Sequence, residues 1–163
     1  MESGRAPLSN KIVQEMLNLH IPYRIRMLCE ALPRTPAQSD CDNQAFEAGV
    51  VSGRILLGFL GIGYDEKTKQ IKKDRNHRKN GEGLTDDVKV RDVGGKYVEI
   101  ATLSSEDSQT LCRFIYGANK ACAHFTVGSD HKLNVPTFQQ TVPIVIRLLG
   151  ECLPTKTGLT KEG

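Results

Sequence analysis

One short stretch of the chain, residues 118–125, gathers side chains that could do chemistry. It places Asn119, Lys120 and His124 within little more than one turn of a predicted helix. On a helical wheel, Lys120 and His124 share an outer face and are four residues apart, so both can contact a common ligand. Asn119 lies at the flank of the face that points to the core. We take these three residues as the candidate catalytic or binding group.

Four further residues are candidates for lining the same ligand. Arg113 and Tyr116 continue the outer stripe of this predicted helix. Glu47 and Arg54 are the polar residues of an otherwise apolar helix, and their spacing of seven residues puts them on one face. Arg54 is expected to line a cleft against the helix that carries Asn119. The alternative is a structural ion pair between Glu47 and Arg54 that fixes the register of packing.

The spacing from Asn119 to His124 resembles the R-x(4–6)-H motif of HEPN domains (higher eukaryote and prokaryote nucleotide-binding). The resemblance implies a four- or five-helix bundle, usually dimeric, and many such domains are metal-independent RNases. Their His and Arg activate the ribose 2′-hydroxyl and stabilise the charged phosphate. Here His124 matches the motif histidine and Asn119 stands at the arginine position, so a cation would have to come from Lys120 or Arg54.

Three functions follow as hypotheses. The first is a HEPN-like module, non-catalytic or weakly catalytic, that associates with a nucleotide or nucleic acid and forms a homodimer. The second is a metal-independent RNase that uses His124 as general acid and base. The third is a protein-interaction bundle of an antitoxin-like or accessory kind. Structural alternatives remain for the residues themselves, because Asn119 can cap a neighbouring helix and His124 can favour a helix C-terminus.

A basic segment follows the second predicted helix. Between residues 67 and 80 it carries many cations against a single acid, Asp74, and such side chains suit contacts with phosphates. It lacks the interleaved aromatics that stack on bases, and the alternative is a solvated loop. The candidate nucleic-acid-binding residues are Lys72, Lys73, Arg75, Arg78 and Lys79.

Hydrophobic periodicity predicts a mainly α fold, a four-helix bundle with a long insertion. The first helix follows a Ser9 cap, with a break near His20 and Ile21 because of Pro22. The second runs from about Asp40 to Leu60, and its glycines indicate that another backbone packs closely against it. The third runs from Ser104 or Ser105 to His124 or Phe125, and the fourth follows an Asn134 cap and carries Pro143. Residues 1–163 are treated as one domain with an insertion over about 61–103, a β-hairpin around Gly94 and Gly95, and a flexible tail over 154–163.

The overall composition narrows the class of protein. The chain has 163 residues, 39% of them hydrophobic, which is enough for one sizeable core. The net charge is only +3, so any binding of a polyanion must be local. Five scattered cysteines without a C-x-x-C pair favour a reducing, cytoplasmic location over a disulfide framework or zinc site. No cofactor, metal or membrane segment is expected, and the alternative is a metal site formed by His124, Asp130 and His131.

Overall fold

The computed structural model describes residues 7–32, 40–74, 79–80, 83–84, 87–122 and 133–154. The chain is mainly helical, with a two-stranded antiparallel hairpin in the insertion, and this confirms the predicted fold class. The long helices bury a common core. Its largest fully buried side chains come from every long helix and from the first strand: Leu28, Leu56, Leu57, Leu60, Ile62, Leu111, Phe114, Ile115, Phe138 and Leu148.

The N-terminal helix is one continuous rod that changes its pitch. Helix α1 (Asn10–Glu15) leads into a π-helical turn (Met16–His20), and helix α2 (Ile21–Glu30) follows without a gap. Ser9 caps α1 through its side chain, as predicted. The predicted break near His20 appears as this π-helical turn. Pro22, in the first turn of α2, has no N–H and crowds the carbonyl four residues earlier, and a wider turn accommodates both.

Helix α3 (Asp40–Phe59) begins where the sequence predicted and ends one residue before the predicted end. Two of its three glycines, Gly49 and Gly53, lie where a neighbour approaches closely, as predicted, whereas Gly58 has only an ordinary contact. A Cβ on Gly49 would collide with the Cβ of Ala31, and a Cβ on Gly53 would lie 2.8 Å from the ring of Phe114. The two glycines therefore let α2 and the core aromatics lie directly against the α3 backbone.

The hairpin lies earlier in the insertion than the sequence predicted. Strand β1 (Ile62–Asp65) pairs antiparallel with β2 (Gln70–Lys73), Ile62 opposite Lys73 and Asp65 opposite Gln70. The tight connection ends at Lys69, whose φ is +57°, a conformation that usually requires glycine. Two further short strands, β3 (Lys79–Asn80) and β4 (Gly83–Leu84), also pair antiparallel.

The prediction of a β-hairpin around Gly94 and Gly95 is wrong. Residues Val90–Val93 form a 3₁₀ turn, and Gly94, with φ of +85°, ends it in the left-handed conformation. Val90 and Val93 are three residues apart, which is one 3₁₀ turn, and both are buried. In a strand, the same two residues would lie on opposite faces. Asp92 accepts a hydrogen bond from the N–H of Lys89 at 2.7 Å and so caps the turn. A second 3₁₀ turn covers Ile100–Thr102.

This segment ties together the C-terminal ends of two helices. The N–H of Val98 donates to the carbonyl of Leu60 at 3.3 Å, at the end of α3. The N–H of Lys96 donates to the carbonyl of Cys152 at 2.9 Å, at the end of helix α5 (Val135–Cys152). A Cβ on Gly95 would lie 2.5 Å from that carbonyl oxygen, so the close approach requires glycine.

The remaining long helices match their sequence signals. Helix α4 (Ser105–Cys122) begins after Ser104, whose hydroxyl accepts from the N–H of Asp107 at 3.0 Å. Helix α5 follows Asn134, whose side chain accepts from the N–H of Thr137 at 2.9 Å, and it continues through Pro143. The predicted end of the third helix and the predicted flexible tail beyond residue 154 lie outside the described residues. Within the described ranges, no helix is long and apolar enough to cross a membrane.

Candidate functional site

A cleft of about 540 Å³ opens between the N-terminal helix, the second half of α3 and the start of the segment at residue 87. Its apolar wall comes from both helices and includes Met16, Ile21, Ile55, Leu56 and Phe59. Its polar lining combines cationic and acidic side chains: His20, Arg24, Arg54, Asp74, Asp87 and Lys89. A concave site with an apolar wall and a few converging polar groups is the usual form of a ligand pocket.

Arg54 joins this cleft to the helix that the sequence singled out. Its Nε donates to Oδ1 of Asn119 at 2.9 Å, across the interface between α3 and α4, and both side chains are partly buried. One terminal nitrogen of the guanidinium lies 3.5 Å from where a Cβ of Gly58 would sit, so the side chain extends along α3 towards its C-terminus. Asn119 therefore holds the guanidinium in place at the wall of the cleft. The helices that line this cleft are the N-terminal helix and α3, whereas the sequence predicted a cleft against α4.

The π-helical turn supplies a second wall of the cleft. Met16 and His20, its first and last residues, both line the cavity. The Nε2 atom of His20 lies 3.2 Å from a carboxylate oxygen of Glu15, with both side chains about half exposed. Single π-helical turns inside α-helices occur frequently at functional sites, because the wider turn redirects side chains. This local irregularity therefore marks the same place as the cleft.

Lys89 is buried at the inner end of the cleft. Its side chain is only 7% exposed, and Nζ donates to the carbonyl of Gly58 at 2.9 Å and to Asp74 at 3.4 Å. The carbonyl of Gly58 belongs to the last turn of α3, where the helix dipole presents its negative end. Lys89 therefore neutralises the end of α3 and fixes Asp74 beside the cleft.

Two residues of the outer stripe of α4, Tyr116 and Lys120, contact the hairpin. The rings of Tyr116 and Tyr64 lie 5.7 Å apart, and Lys69 lies 5.8 Å from the centre of the Tyr116 ring. Lys120 forms an ion pair with Glu66 at 3.7 Å. Burial raises the pKa of Tyr64, and the bond to Glu66 raises the pKa of Lys69. Tyr116 and Lys120 thus help to anchor the hairpin.

The other predicted lining residues do not meet the cleft. Glu47 is exposed and lies two turns before Arg54, whose side chain extends in the other direction, towards Gly58. Arg113 is exposed and its Nε donates to the carbonyl of Gln109 at 3.4 Å, one turn earlier in α4. Cys112 donates its thiol to the carbonyl of Lys69, and burial raises its pKa.

Part of the predicted site lies outside the described residues. His124 belongs to this group, as do Arg75, Arg78 and the alternative metal ligands Asp130 and His131. In the described part of the chain, no cluster of three or more His, Cys, Asp or Glu residues could hold a metal.

The described part of the basic segment lies on the hairpin. Lys72 and Lys73 are exposed on β2, and Lys73 forms an ion pair with Glu99 at 3.3 Å. The backbone of Lys79 belongs to strand β3. Lys72 and Lys73 therefore face solvent outside the cleft, and a role in nucleic-acid binding stays a prediction.

Sequence reasoning missed five polar residues of the cleft. His20 and Arg24 are four apart on one helical face, a signal that the sequence did carry. Asp74 and Asp87 lie in irregular segments, where no periodicity indicates a direction. Lys89 alternates with Val88 and Val90, and this pattern wrongly indicated an exposed strand position.

Comparison of the chain with protein-family models, curated proteins and solved structures finds no match. The cleft offers Arg24 and Arg54 to an anionic group of a small ligand and apolar side chains to an apolar face of it.

Proposed function

We propose that this chain is a HEPN-like helical-bundle module that associates with a nucleotide or nucleic acid, and that it is non-catalytic or weakly catalytic. The observation that carries the proposal is the Arg54 guanidinium, held by Asn119 at the wall of the cleft. An arginine positioned by a neighbour loses less side-chain entropy when it binds a phosphate. Asn119 is the positioning residue, and Arg54 is the contact to the ligand.

The charges in the cleft support an anionic ligand. Lys89 and Asp74 neutralise each other, which leaves Arg24 and Arg54 against Asp87. The balance of these three side chains is one positive charge. The apolar walls lower the local dielectric constant, so that a charge-assisted hydrogen bond is stronger here than on the open surface.

The test compares an arginine that lines the cleft with an arginine that lies outside it. Arg54→Gln removes a cation from the cleft, whereas Arg113→Gln removes the same charge from the exposed face of α4. Binding of adenosine monophosphate and of a short single-stranded RNA is measured by calorimetry at two salt concentrations. A hydrogen bond to a charged group contributes about 1.5–3 kcal/mol, so Arg54→Gln is expected to weaken binding by about 10- to 100-fold.

The control decides between a site and a general electrostatic effect. Arg113→Gln is expected to change the affinity by less than about twofold, and Asn119→Ala to weaken binding less than Arg54→Gln does, because the cation stays. Equal losses in Arg54→Gln and Arg113→Gln would contradict the proposal. Arg24→Gln gives a second cleft variant in case Arg54→Gln does not fold, as judged by circular dichroism.

Catalysis by His124 stays a separate prediction. Incubation of RNA with the wild type and with His124→Ala in EDTA tests it directly. Cleavage that is present in the first and lost in the second would establish a metal-independent RNase with His124 as general acid and base. Binding without cleavage in either protein would support the non-catalytic module.

Self-association is the second candidate role, and exposed apolar side chains favour it. Leu19 is 59% exposed and Tyr23 44%, and they lie four residues apart on the N-terminal helix. Arg24 and Arg26 lie within 6 Å of the Tyr23 ring, and aromatic and arginine side chains are enriched at protein interfaces. We propose that a second copy of this chain covers these exposed side chains, in agreement with the dimers that the HEPN resemblance implies.

Sedimentation measurements test this second role. The wild type is expected to sediment as a dimer, and the double variant Leu19→Ser, Tyr23→Ser as a monomer. Ile146→Ser, which changes an exposed apolar residue of α5, is the control and is expected to remain dimeric. A monomeric wild type would refute the proposal, and the interaction bundle would then need a different partner.

A further inference from the structure

The cleft contains two carboxylates that binding of a phosphate does not explain. Asp74 and Asp87 line the same cavity as Arg24 and Arg54. A carboxylate near a phosphate opposes binding by like-charge repulsion. In a ligand site, the same carboxylate becomes favourable when the ligand offers it hydrogen-bond donors, because an ionised carboxyl group only accepts.

The position of Asp74 is set by the protein. Lys89, itself buried, bonds to the carboxylate of Asp74 at 3.4 Å, and the N–H of Asp74 donates to the carbonyl of Gly61 at 2.8 Å. An ionised carboxyl group has about four acceptor positions, so the bond from Lys89 leaves capacity for a further donor. Asp87 is exposed at the rim and lies two residues before Lys89. The cleft thus offers one carboxylate whose position is set, Asp74, and a second, Asp87, in addition to its cations.

A ribonucleotide combines the three chemistries that the cleft presents. It has an anionic phosphate for Arg24 and Arg54, hydroxyl groups that can donate to Asp74 and Asp87, and a base whose flat faces can pack against apolar side chains. The apolar wall of Met16, Ile55 and Phe59 can cover such a base. A deoxyribonucleotide lacks the 2′-hydroxyl and offers one donor fewer.

We infer that the cleft binds a ribonucleoside monophosphate, with the phosphate at Arg54 and Arg24 and the ribose hydroxyls at Asp87 and Asp74. This inference rests on the proposed function and names the ligand class of the same site. The volume of about 540 Å³ lies within the range of pockets that enclose one small ligand. A longer strand would bring further phosphates past the two carboxylates and meet repulsion there.

The first measurement compares four ligands on the wild-type protein by calorimetry: adenosine monophosphate, its 2′-deoxy analogue, adenosine and inorganic phosphate. The ribonucleotide is expected to bind about 10-fold more tightly than the deoxy analogue, because a hydroxyl donor to a charged acceptor is lost. Adenosine and phosphate alone are each expected to bind at least 10-fold more weakly than the ribonucleotide. Equal binding of the ribo and deoxy forms would overturn the inference.

A pair of carboxylate variants assigns the discrimination to the cleft. Asp87→Asn is expected to reduce the ribo-to-deoxy ratio towards 1, whereas Glu47→Gln, which removes an exposed carboxylate elsewhere on the protein, is expected to leave the ratio unchanged. A ratio unchanged in Asp87→Asn would contradict the assignment of the hydroxyl groups to this residue. Circular dichroism first verifies that each variant is folded, so that a loss of fold is not mistaken for a loss of discrimination between the two ligands.

The two proposals can fail separately. If short RNA binds in an Arg54-dependent way and the monophosphate does not, the ligand class is wrong and the proposed function stands. If no nucleotide or RNA binding depends on Arg54, the proposed function itself fails. Binding of the deoxy form alone, with dependence on Arg54, would keep an anion site and refute the role of the ribose.

Discussion

The glycines of α3 allow a prediction about stability in which one helix provides both the test and its control. Gly49→Ala places a methyl group against the Cβ of Ala31, with the ring of Phe138 at 3.0 Å and the carbonyl of Met27 at 3.3 Å. Gly58→Ala places the same methyl group where the nearest atom is a nitrogen of Arg54 at 3.5 Å, an ordinary contact.

The expected changes in the free energy of unfolding have opposite signs at Gly49 and Gly58. Alanine is about 1 kcal/mol better than glycine inside a helix, and somewhat less in the last turn, where Gly58 lies. Overpacking costs about 1–3 kcal/mol, and the upper value applies at Gly49 because a Cβ cannot rotate away. We expect Gly49→Ala to destabilise the protein by about 2 kcal/mol and Gly58→Ala to stabilise it by about 0.5 kcal/mol, from the same two principles.

Urea unfolding at 25 °C, followed by circular dichroism, measures both changes. The double variant Gly49→Ala, Ala31→Gly removes the obstructing methyl group and is expected to recover about 1–2 kcal/mol, since residues in contact are not additive. The recovery is partial because Phe138 and Met27 stay close. A stabilising Gly49→Ala, or an Ala31→Gly effect that is equal in both backgrounds, would refute the close packing of α2 on α3.

Three further predictions concern the insertion and the cysteines. Lys89→Met is expected to lower the free energy of unfolding by about 1.5–3 kcal/mol in urea, because a charged hydrogen-bond donor to Asp74 is lost inside the protein. Backbone N–H groups lower the pKa of Asp65, so this carboxylate stabilises the hairpin above about pH 4 and the contribution disappears as the pH falls further. The difference in Tm between the wild type and Asp65→Asn should therefore be larger at pH 6 than at pH 3, and equal differences would contradict this. Burial raises the pKa of Cys112, so iodoacetamide at pH 8 should modify the exposed Cys29 first, as peptide mapping will show.

The helices could be predicted from sequence because their signals are local. Ser9 and Asn134 directly precede α1 and α5, and their side chains accept hydrogen bonds from backbone N–H groups of the first helical turn. The glycines of α3 indicated a close neighbour, and the structure places Ala31 there. In each case, the residue type and its spacing determine the conformation of its own segment.

The insertion could not be predicted in the same way, because distant contacts determine it. The turn of the true hairpin uses Lys69 where glycine is usual, so its sequence lacks the glycine that marks most hairpin turns. Gly94 and Gly95 resemble a hairpin turn. In the structure, Gly94 ends a 3₁₀ turn, and Gly95 lets the backbone lie close to Cys152, more than 50 residues later. The cleft depends on the same contacts, and for that reason Lys89 and Asp74 were missed.

The bond between Lys96 and the carbonyl of Cys152 also constrains the order of events during synthesis. The ribosome must add 56 residues after Lys96 before its partner exists. At about 5–20 residues per second, this delay amounts to about 3–11 s. During that interval Gly95 and Lys96 have no end of α5 to contact. This part of the insertion is thus available to chaperones in the nascent chain until α5 emerges.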